Sequence, residues 1–329
     1  MKLSNEYYKV IADVDELEWF YNHCVHKPKM NEAYAFCLSF RNKRLTDEEK
    51  EALDMPRSEM LDPQVVFCHQ DGSFSFRDFL SGLAKYEVRK DALTTRNGSY
   101  YLEKSMVCYF HVNPCDELKV ISELKDYINT HEQELIDSAI RDLDRANEIA
   151  NITVDMNAML GADNVSGEEL NALKGRVKAL GAKSKESGTS QSLYKMCKSL
   201  SKMKRLQFDN VGTKYWVDFD MDIKKDFRGE APEKALLEDW HNYCLEKLGK
   251  GMFVEVKTGG GMHTLVNKSV IHFDPNKFIN EFLEKNINGY GCAKEFIDEL
   301  VYNTNGLVPC PGTYQYGNCV RILNKEDFN

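Results

Sequence analysis

The chain has no CxxC pair, no apolar run long enough to cross a bilayer, no net positive charge and no internal repeat. Each absence removes a class. Ten cysteines without paired spacing argue against zinc and against a disulfide framework. Most stand beside apolar residues, as Cys37 does in YAFCLSF and Cys108 in MVCYF, which is how buried reduced thiols are placed. The opening MKLSNEYYKVIADVDEL lacks the pattern of a signal peptide. The expectation is a soluble cytoplasmic protein with no membrane partner. A net charge of -9 over 329 residues disfavours a protein that coats nucleic acid.

That charge is uneven. From Lys174 to Arg205 there are ten Lys or Arg and one acid, Glu186, after a largely acidic stretch, DELKVISELKDYINTHEQELIDSAIRDLDRANE. Such asymmetry marks either a local anion-binding surface or a solvated helix face. The length allows one large or two modest domains. Residues 7–27 read as helix, and Ala33–Phe40, Pro63–His69 and Gly98–Val112 as strands. Helix signals between them open at Thr46 of TDEEKEAL and in SFRDFLSGLAKYEV. This is an N-terminal α/β module over 1–115. Residues 116–205 form a helical connecting insertion, with a capping box at Ser166 and Glu169 and a polar, mobile loop over 181–192.

The third part, 206–329, is the most legible. KYWVDFDM is a strand and Pro232–Gly249 a helix with Pro at its start and Gly at its end. MFVEVKT and MHTLVN are strands joined by glycines, DPNKFINEFLEKN opens a helix, AKEFIDELV adds a helical turn or two, and NCVRIL is a last strand. The order β-α-β-β-α-β is the ferredoxin-like or RRM-like plan, so the fold class is α+β.

In such a sheet helices cover one face. In KYWVDFDMD, Tyr215, Val217, Phe219 and Met221 share one face, and Trp216, Asp218, Asp220 and Asp222 the other. Asp222 reads as the strand's end. With Val254, Val256, Met262, Thr264, Val266, Val320 and Ile322 toward the helices, the free face receives Phe253, Glu255, Lys257, His263 and Arg321. Like charges gathered on one face repel unless something positive sits among them.

Asp218 and Asp220, about 6.6 Å apart along a strand, suit Mg²⁺ or Mn²⁺, which favour carboxylate oxygen and substrate phosphate. Two such ions roughly 3.5–4 Å apart clamp an in-line phosphoryl transfer. Thr258 and the turn Gly259–Gly261 offer backbone N–H groups to an anion, with Gly260 and Gly261 nearest. His263, Lys257 and Arg321 are the phosphate-binding side chains.

These residues resemble the archaeo-eukaryotic primase superfamily. The marks are a hydrophobic strand with Asp-x-Asp, here VDFD, and a small residue, any residue, then His, here GMH from Gly261 to His263. LVPCPGTYQYGNCVRILNKEDF is similar to the Pro-Gly-Thr-Tyr-Gln segment of primase-like proteins of phages and plasmids, and Ser39–Met60 to the opening part of phage primase-polymerases. The resemblance implies catalytic Asp218, Asp220 and His263, metal on Asp218 and Asp220, and His263 on the incoming nucleotide's phosphates. It also implies a later acid. Asn303 and Asn305 stand where that acid is sought, leaving Glu255 on the free face, or Asp298 and Glu299 in a helix, as the third ligand.

The expected function is DNA-templated nucleotidyl transfer, as primase or polymerase, with nucleoside triphosphates and a single-stranded DNA template. A helicase or a single-strand-binding protein is a further expected partner. The basic 174–205 segment is expected to track strand phosphates. Asn42, Lys43 and Arg57 are carried by the resemblance alone as template or nucleotide contacts. Two rivals stand: a non-catalytic RRM-like binding module of the replication machinery, for which Trp216 and Phe253 would be the stacking platforms, and a template-independent nucleotidyltransferase.

Overall fold

The computed structural model describes residues 6–55, 57–61, 64–67, 73–95, 97–127, 211–304 and 306–328, with positions 129, 130, 137, 144, 147, 148, 151, 152, 171, 172 and 175. The chain divides into two units. One joins Met1–Glu117 to Gln207–Asn329, and the other is Leu118–Leu206. In the second, positions 118–127 and the described positions out to 152 are helical. The Ser166–Glu169 cap, the 181–192 loop and, Gly175 apart, the basic 174–205 segment lie outside the described residues.

The first unit is α+β with antiparallel sheets. Its helices are α1 (Val14–Cys24), α2 (Asp47–Leu53), α3 (Phe76–Ala84), α4 (Ala231–Leu248) and α5 (Pro275–Leu283). Their starts follow local chemistry. Thr46 with Glu49, and Ser75 with Asp78, form capping boxes, and Asp13 and Asp274 cap α1 and α5. α4 has Pro in its first turn and ends at Gly249, whose φ of 94° is readily reached only without a Cβ.

The strands in chain order are β1 (Glu32–Arg41), β2 (Ser58–Met60), β3 (Gln64–Phe67), β4 (Met106–His111), β5 (Cys115–Asp116), β6 (Trp216–Ile223), β7 (Phe253–Lys257), β8 (Gly261–Asn267), β9 (Asn286–Ile287), β10 (Gly291–Cys292), β11 (Ile297–Asn303), β12 (Leu307–Pro309), β13 (Tyr314–Gln315), β14 (Asn318–Cys319) and β15 (Arg321–Ile322). One sheet runs β14-β13-β4-β1-β2, with β3 and β5 also on β1 and β12 on β4. The other runs β11-β6-β8-β7-β15. NCVRIL is therefore not one strand: Asn318–Cys319 joins the first sheet and Arg321–Ile322 the second. AKEFIDELV is not helical past Glu295, because Ile297–Asn303 pairs with β6.

Two cores flank the second sheet. Val217, Phe219, Met221, Phe253, Met262 and Val266 pack with Trp240, Phe278 and Phe282 of α4 and α5. Trp216, Val254, Val256, Leu265 and Ile322 pack on the other side, in one core with Phe20, Phe36, Phe79 and Phe110 of the N-terminal module. So the face opposite α4 and α5 is not free; the N-terminal module covers much of it. Six of the eight described cysteines are buried. Among the described residues no helix is long and apolar enough to cross a membrane.

Candidate active site

The site grows from the register of three strands. Asp220 stands opposite His263, and Asp222 opposite Gly261, across β6 and β8. On the other flank Asn303, Val301 and Glu299 of β11 face Asp218, Asp220 and Asp222. Cross-strand partners share a face, so three aspartates, Glu299 and His263 occupy one side of the sheet. Glu299 is exposed there, on a strand rather than in a helix.

His263 answers the repulsion among these acids. Its Nδ1 lies 2.9 Å from Asp218 Oδ2 and its Nε2 3.5 Å from Asp220 Oδ1. Asp218 is 0% exposed and His263 9%, whereas the Asp220 side chain is 38% exposed. Burial pulls the imidazole's pKa down, but Asp218, then Asp220 and Asp222, outweigh it and hold it at about 9. Burial raises Asp220 to about 6, with His263 opposing and Asp218, Asp222 and Glu299 adding to the rise. At neutral pH an imidazolium is thus held between two carboxylates.

Beside this cluster opens a cavity of 530 Å³, lined by Lys43, Arg44, Leu45, Thr46, Asp222, Lys225, Arg228 and Asp298. Four cations converge on it, two from the 3₁₀ turn Asn42–Arg44 after β1 and two from the stretch after β6. They repel one another. Burial lowers the pKa of Lys43, Asp222 opposes this, and Arg41, Arg228 and Arg44 lower it further. Burial also lowers Arg44, with Arg228 the next cause. A concave site whose cations depress one another is suited to a multiply charged anion. Arg41 Nη1 donates to the Tyr109 hydroxyl at 2.9 Å. Burial pushes Tyr109 up to about 12, and Asp220 contributes to the shift, which sets this pair near the acids.

Several expected members lie elsewhere. Val256 pairs with His263 and Glu255 with Thr264, so β7 presents Val254 and Val256 to the site and turns Phe253, Glu255 and Lys257 toward α4 and α5. Arg321, opposite Lys257, goes with them and is exposed. The reason is that both faces of β7 are buried, so its valines belong to the second core rather than to the helical one. Glu255 therefore cannot complete a metal site with Asp218 and Asp220; it is bound to His241 Nδ1 at 2.8 Å. Lys257 is held by Glu233 at 2.8 Å and by the carbonyls of Thr258 and Gly261.

The glycine turn is also committed. Thr258 Oγ1 accepts from the N–H groups of Gly260 and Gly261, and Gln315 accepts from that of Gly259. The glycines serve close approach instead: a Cβ on Gly261 would lie 1.8 Å from the Met221 carbonyl oxygen, and one on Gly260 3.0 Å from Asp222 Oδ1. Arg44 also donates to the Gly259 carbonyl, tying the turn to the N-terminal module. Asp298 borders the cavity from the irregular step in β11, and Asp222 is a site wall rather than a mere strand end. Lys43 reaches the cavity; Asn42 and Arg57 do not line it.

Arg44, Lys225 and Arg228 were not foreseen. The one signal for them is a basic run directly after a strand, FRNKRL and DIKKDFRG. Among the described residues no group of three His, Cys, Asp or Glu side chains is arranged to hold a metal ion. Comparison of the chain with protein-family models, with curated proteins and with solved structures finds no match.

Proposed function

We propose that the chain is a divalent-metal-dependent nucleotidyltransferase of the primase-polymerase type, extending a strand on a single-stranded DNA template. The observation that carries this reading is the single cavity where Asp222 and Asp298 meet Lys43, Arg44, Lys225 and Arg228, beside the Asp218–His263–Asp220 cluster. Acids and cations side by side suit a substrate that is itself an anion chelating a cation. The element order with strands β11-β6-β8-β7 supports an RRM-like catalytic module, since it gives that plan's sheet order of fourth, first, third and second strand.

The donor set near the cavity is all oxygen, from half-buried Asp220 and Asp222 and exposed Glu299 opposite Asp222. It fits Mg²⁺ or Mn²⁺, which bind through one or two carboxylates and keep water and phosphate as their other ligands. Asp220 and Asp222 are the residues that would hold the ion. Bound there, it supplies charge neutralisation and orientation for the triphosphate.

The chain's own groups do the rest. His263 presents Nε2 to a phosphate oxygen. Lys43, Arg44, Lys225 and Arg228 take the charge of the β- and γ-phosphates. As the 3′ hydroxyl oxygen forms its bond to the α-phosphorus, its proton passes to solvent water, the bond to pyrophosphate breaks, and the same four cations stabilise the departing pyrophosphate. The half-buried Arg41–Tyr109 pair would contact template or base. A helicase or a single-strand-binding protein would be an accessory partner.

The binding-module rival needs exposed aromatics, and both of its platforms are buried: Trp216 is 3% exposed and Phe253 0%. The test is incorporation of labelled nucleotide on single-stranded DNA with Mn²⁺ or Mg²⁺, comparing the wild type with Asp220→Ala/Asp222→Ala. Template-dependent product from the wild type alone supports the reading. Product without template favours the template-independent transferase. Tight DNA binding by both proteins with no product from either favours the binding module.

A further inference from the structure

Asp218 and Asp222 lie one step either side of Asp220 on the same face of β6, yet their surroundings differ. Asp222 is half-buried and walls the cation-lined cavity. Asp218 is fully buried. Its face neighbours include Trp216, two residues back on β6, and Leu265, directly across on β8, both members of an apolar core, with Asn303 across on β11. Its Oδ2 accepts from His263 Nδ1 at 2.9 Å, and its Oδ1 is closed to solvent and has no hydrogen-bond partner. Mg²⁺ and Mn²⁺ prefer sites where they keep several waters, and apolar walls on two sides offer none. A buried carboxylate instead needs a fixed cationic partner, and breaking such a pair is costly.

We propose that Asp218 is not a cation ligand but the positioning residue of His263. The argument rests on the nucleotidyl-transfer reading of the acidic face. By accepting from Nδ1, Asp218 keeps that nitrogen protonated and fixes the tilt of the ring. The other edge, Nε2, is then turned toward Asp220, 3.5 Å away, where substrate phosphates enter. The two residues act as one unit: Asp218 does its work through the imidazole, and Asp220 with Asp222 forms the cation-holding pair. The metal pair is thereby displaced by one alternate position along VDFDMD, from Asp218 and Asp220 to Asp220 and Asp222.

The test uses the full chain, with Mn²⁺ alone as probe followed by paramagnetic resonance. Asp220→Asn and Asp222→Asn are expected to weaken Mn²⁺ about tenfold or more, and Asp218→Asn to leave it within about threefold. Nucleotide turnover completes a cycle. Asp218→Asn and His263→Ala each lower it, and the double variant is no worse than His263→Ala. Loss of Mn²⁺ in Asp218→Asn to the extent seen for Asp220→Asn overturns the proposal. So does a further loss of turnover when Asp218→Asn is added to His263→Ala.

Should Asp218→Asn fail to fold, Asp218→Ala/His263→Ala leaves no charge of the pair unpaired and is compared with His263→Ala. Equal Mn²⁺ affinity supports the proposal, and an about tenfold difference overturns it. If the wild type holds no Mn²⁺ and joins no nucleotides, the functional reading falls, and the His263 Nδ1 proton resonance still decides. Its loss in Asp218→Asn or, by difference, its presence in Asp218-containing variants only, supports the positioning role; its persistence without Asp218 overturns it.

Discussion

The second sheet carries the same small assembly on both of its faces. On one face His263 lies between Asp218 at 2.9 Å and Asp220 at 3.5 Å. On the other His241 lies between Glu255 at 2.8 Å and Asp327 at 3.6 Å. Acid, imidazole and acid are matched almost distance for distance. What differs is the neighbourhood. The first borders a 530 Å³ cavity with four cations. The second borders one of 270 Å³ lined by Leu237, Glu238, His241, Glu255, Leu323, Asn324, Glu326 and Asp327, with no Lys or Arg. An imidazole between carboxylates is thus no sign of chemistry by itself. Here one such cluster backs onto a receptor for an anion, and the other fastens the 3₁₀ turn Lys325–Phe328 to α4 and β7.

The sharpest way to break this comparison is to neutralise one acid on each face. Asp220→Asn is expected to lower template-directed incorporation by about 100-fold or more, the scale of losing one group aimed at developing charge. Its counterpart Glu255→Gln is expected to keep incorporation per folded molecule within about threefold. Because Glu255 is buried and tied to His241, that change lowers unfolding free energy by about 1–3 kcal/mol instead. Measured side by side by primer extension and denaturant unfolding, equal loss of incorporation in both variants would abolish the distinction.

Next in size is the backbone contact that sets the active face. Gly261→Ala drives a Cβ into the Met221 carbonyl oxygen at 1.8 Å. The strands β6 and β8 must separate where Asp222 meets Gly261, at a cost of about 1–3 kcal/mol or more. Chemical denaturation reads the loss. Unchanged stability would mean that the close approach is not required.

A smaller effect falls on the cavity. Lys225 is exposed and lines it, so Lys225→Ala is expected to raise the nucleotide KM by about tenfold, near 1.4 kcal/mol, with folding unaltered. Lys257 is committed to Glu233 and two carbonyls, so Lys257→Ala is expected to do the reverse, lowering stability and sparing KM. A rise in KM for Lys257→Ala but not for Lys225→Ala would move the phosphate site to the other face.

Where the sequence was readable follows from how each strand is buried. In β6, Val217, Phe219 and Met221 go to the helices, and aspartates could not follow them, so the alternation has one solution. In β7, FVEVK offers an apolar set on either parity, because Phe253 feeds one core and Val254 with Val256 the other. Assuming an open face chose the wrong parity and carried Glu255 and Lys257 with it. AKEFIDELV begins with Ala, Lys and Glu, which favour helix, and its second half is a strand because Ile297–Asn303 pairs with β6. The cation ring was invisible to periodicity altogether, since it comes from turns brought together by the packing of the two modules.

The gentlest probe is pH, applied to the second cluster. The hydrogen bond that His241 Nδ1 donates to Glu255 raises the His241 pKa, against burial and with further help from Glu255 and Asp327 charge. Burial raises Glu255 itself, with His241 opposing. For a histidine raised in the folded state, the stabilisation is fully present below the unfolded value of about 6.5 and is lost as pH climbs through the folded one. Glu255 has the same sign, because a raised carboxyl also favours the folded state less as pH rises. Glu238 and Glu326 at the cavity add negative charge and no compensating cation. The turn Lys325–Phe328 should therefore loosen on the alkaline side of about pH 6.5, seen as faster amide exchange there, and His241→Gln should flatten the dependence. Loosening toward acid instead would reverse the assignment of His241 as a charged clasp, and with it the contrast between the sheet's two faces.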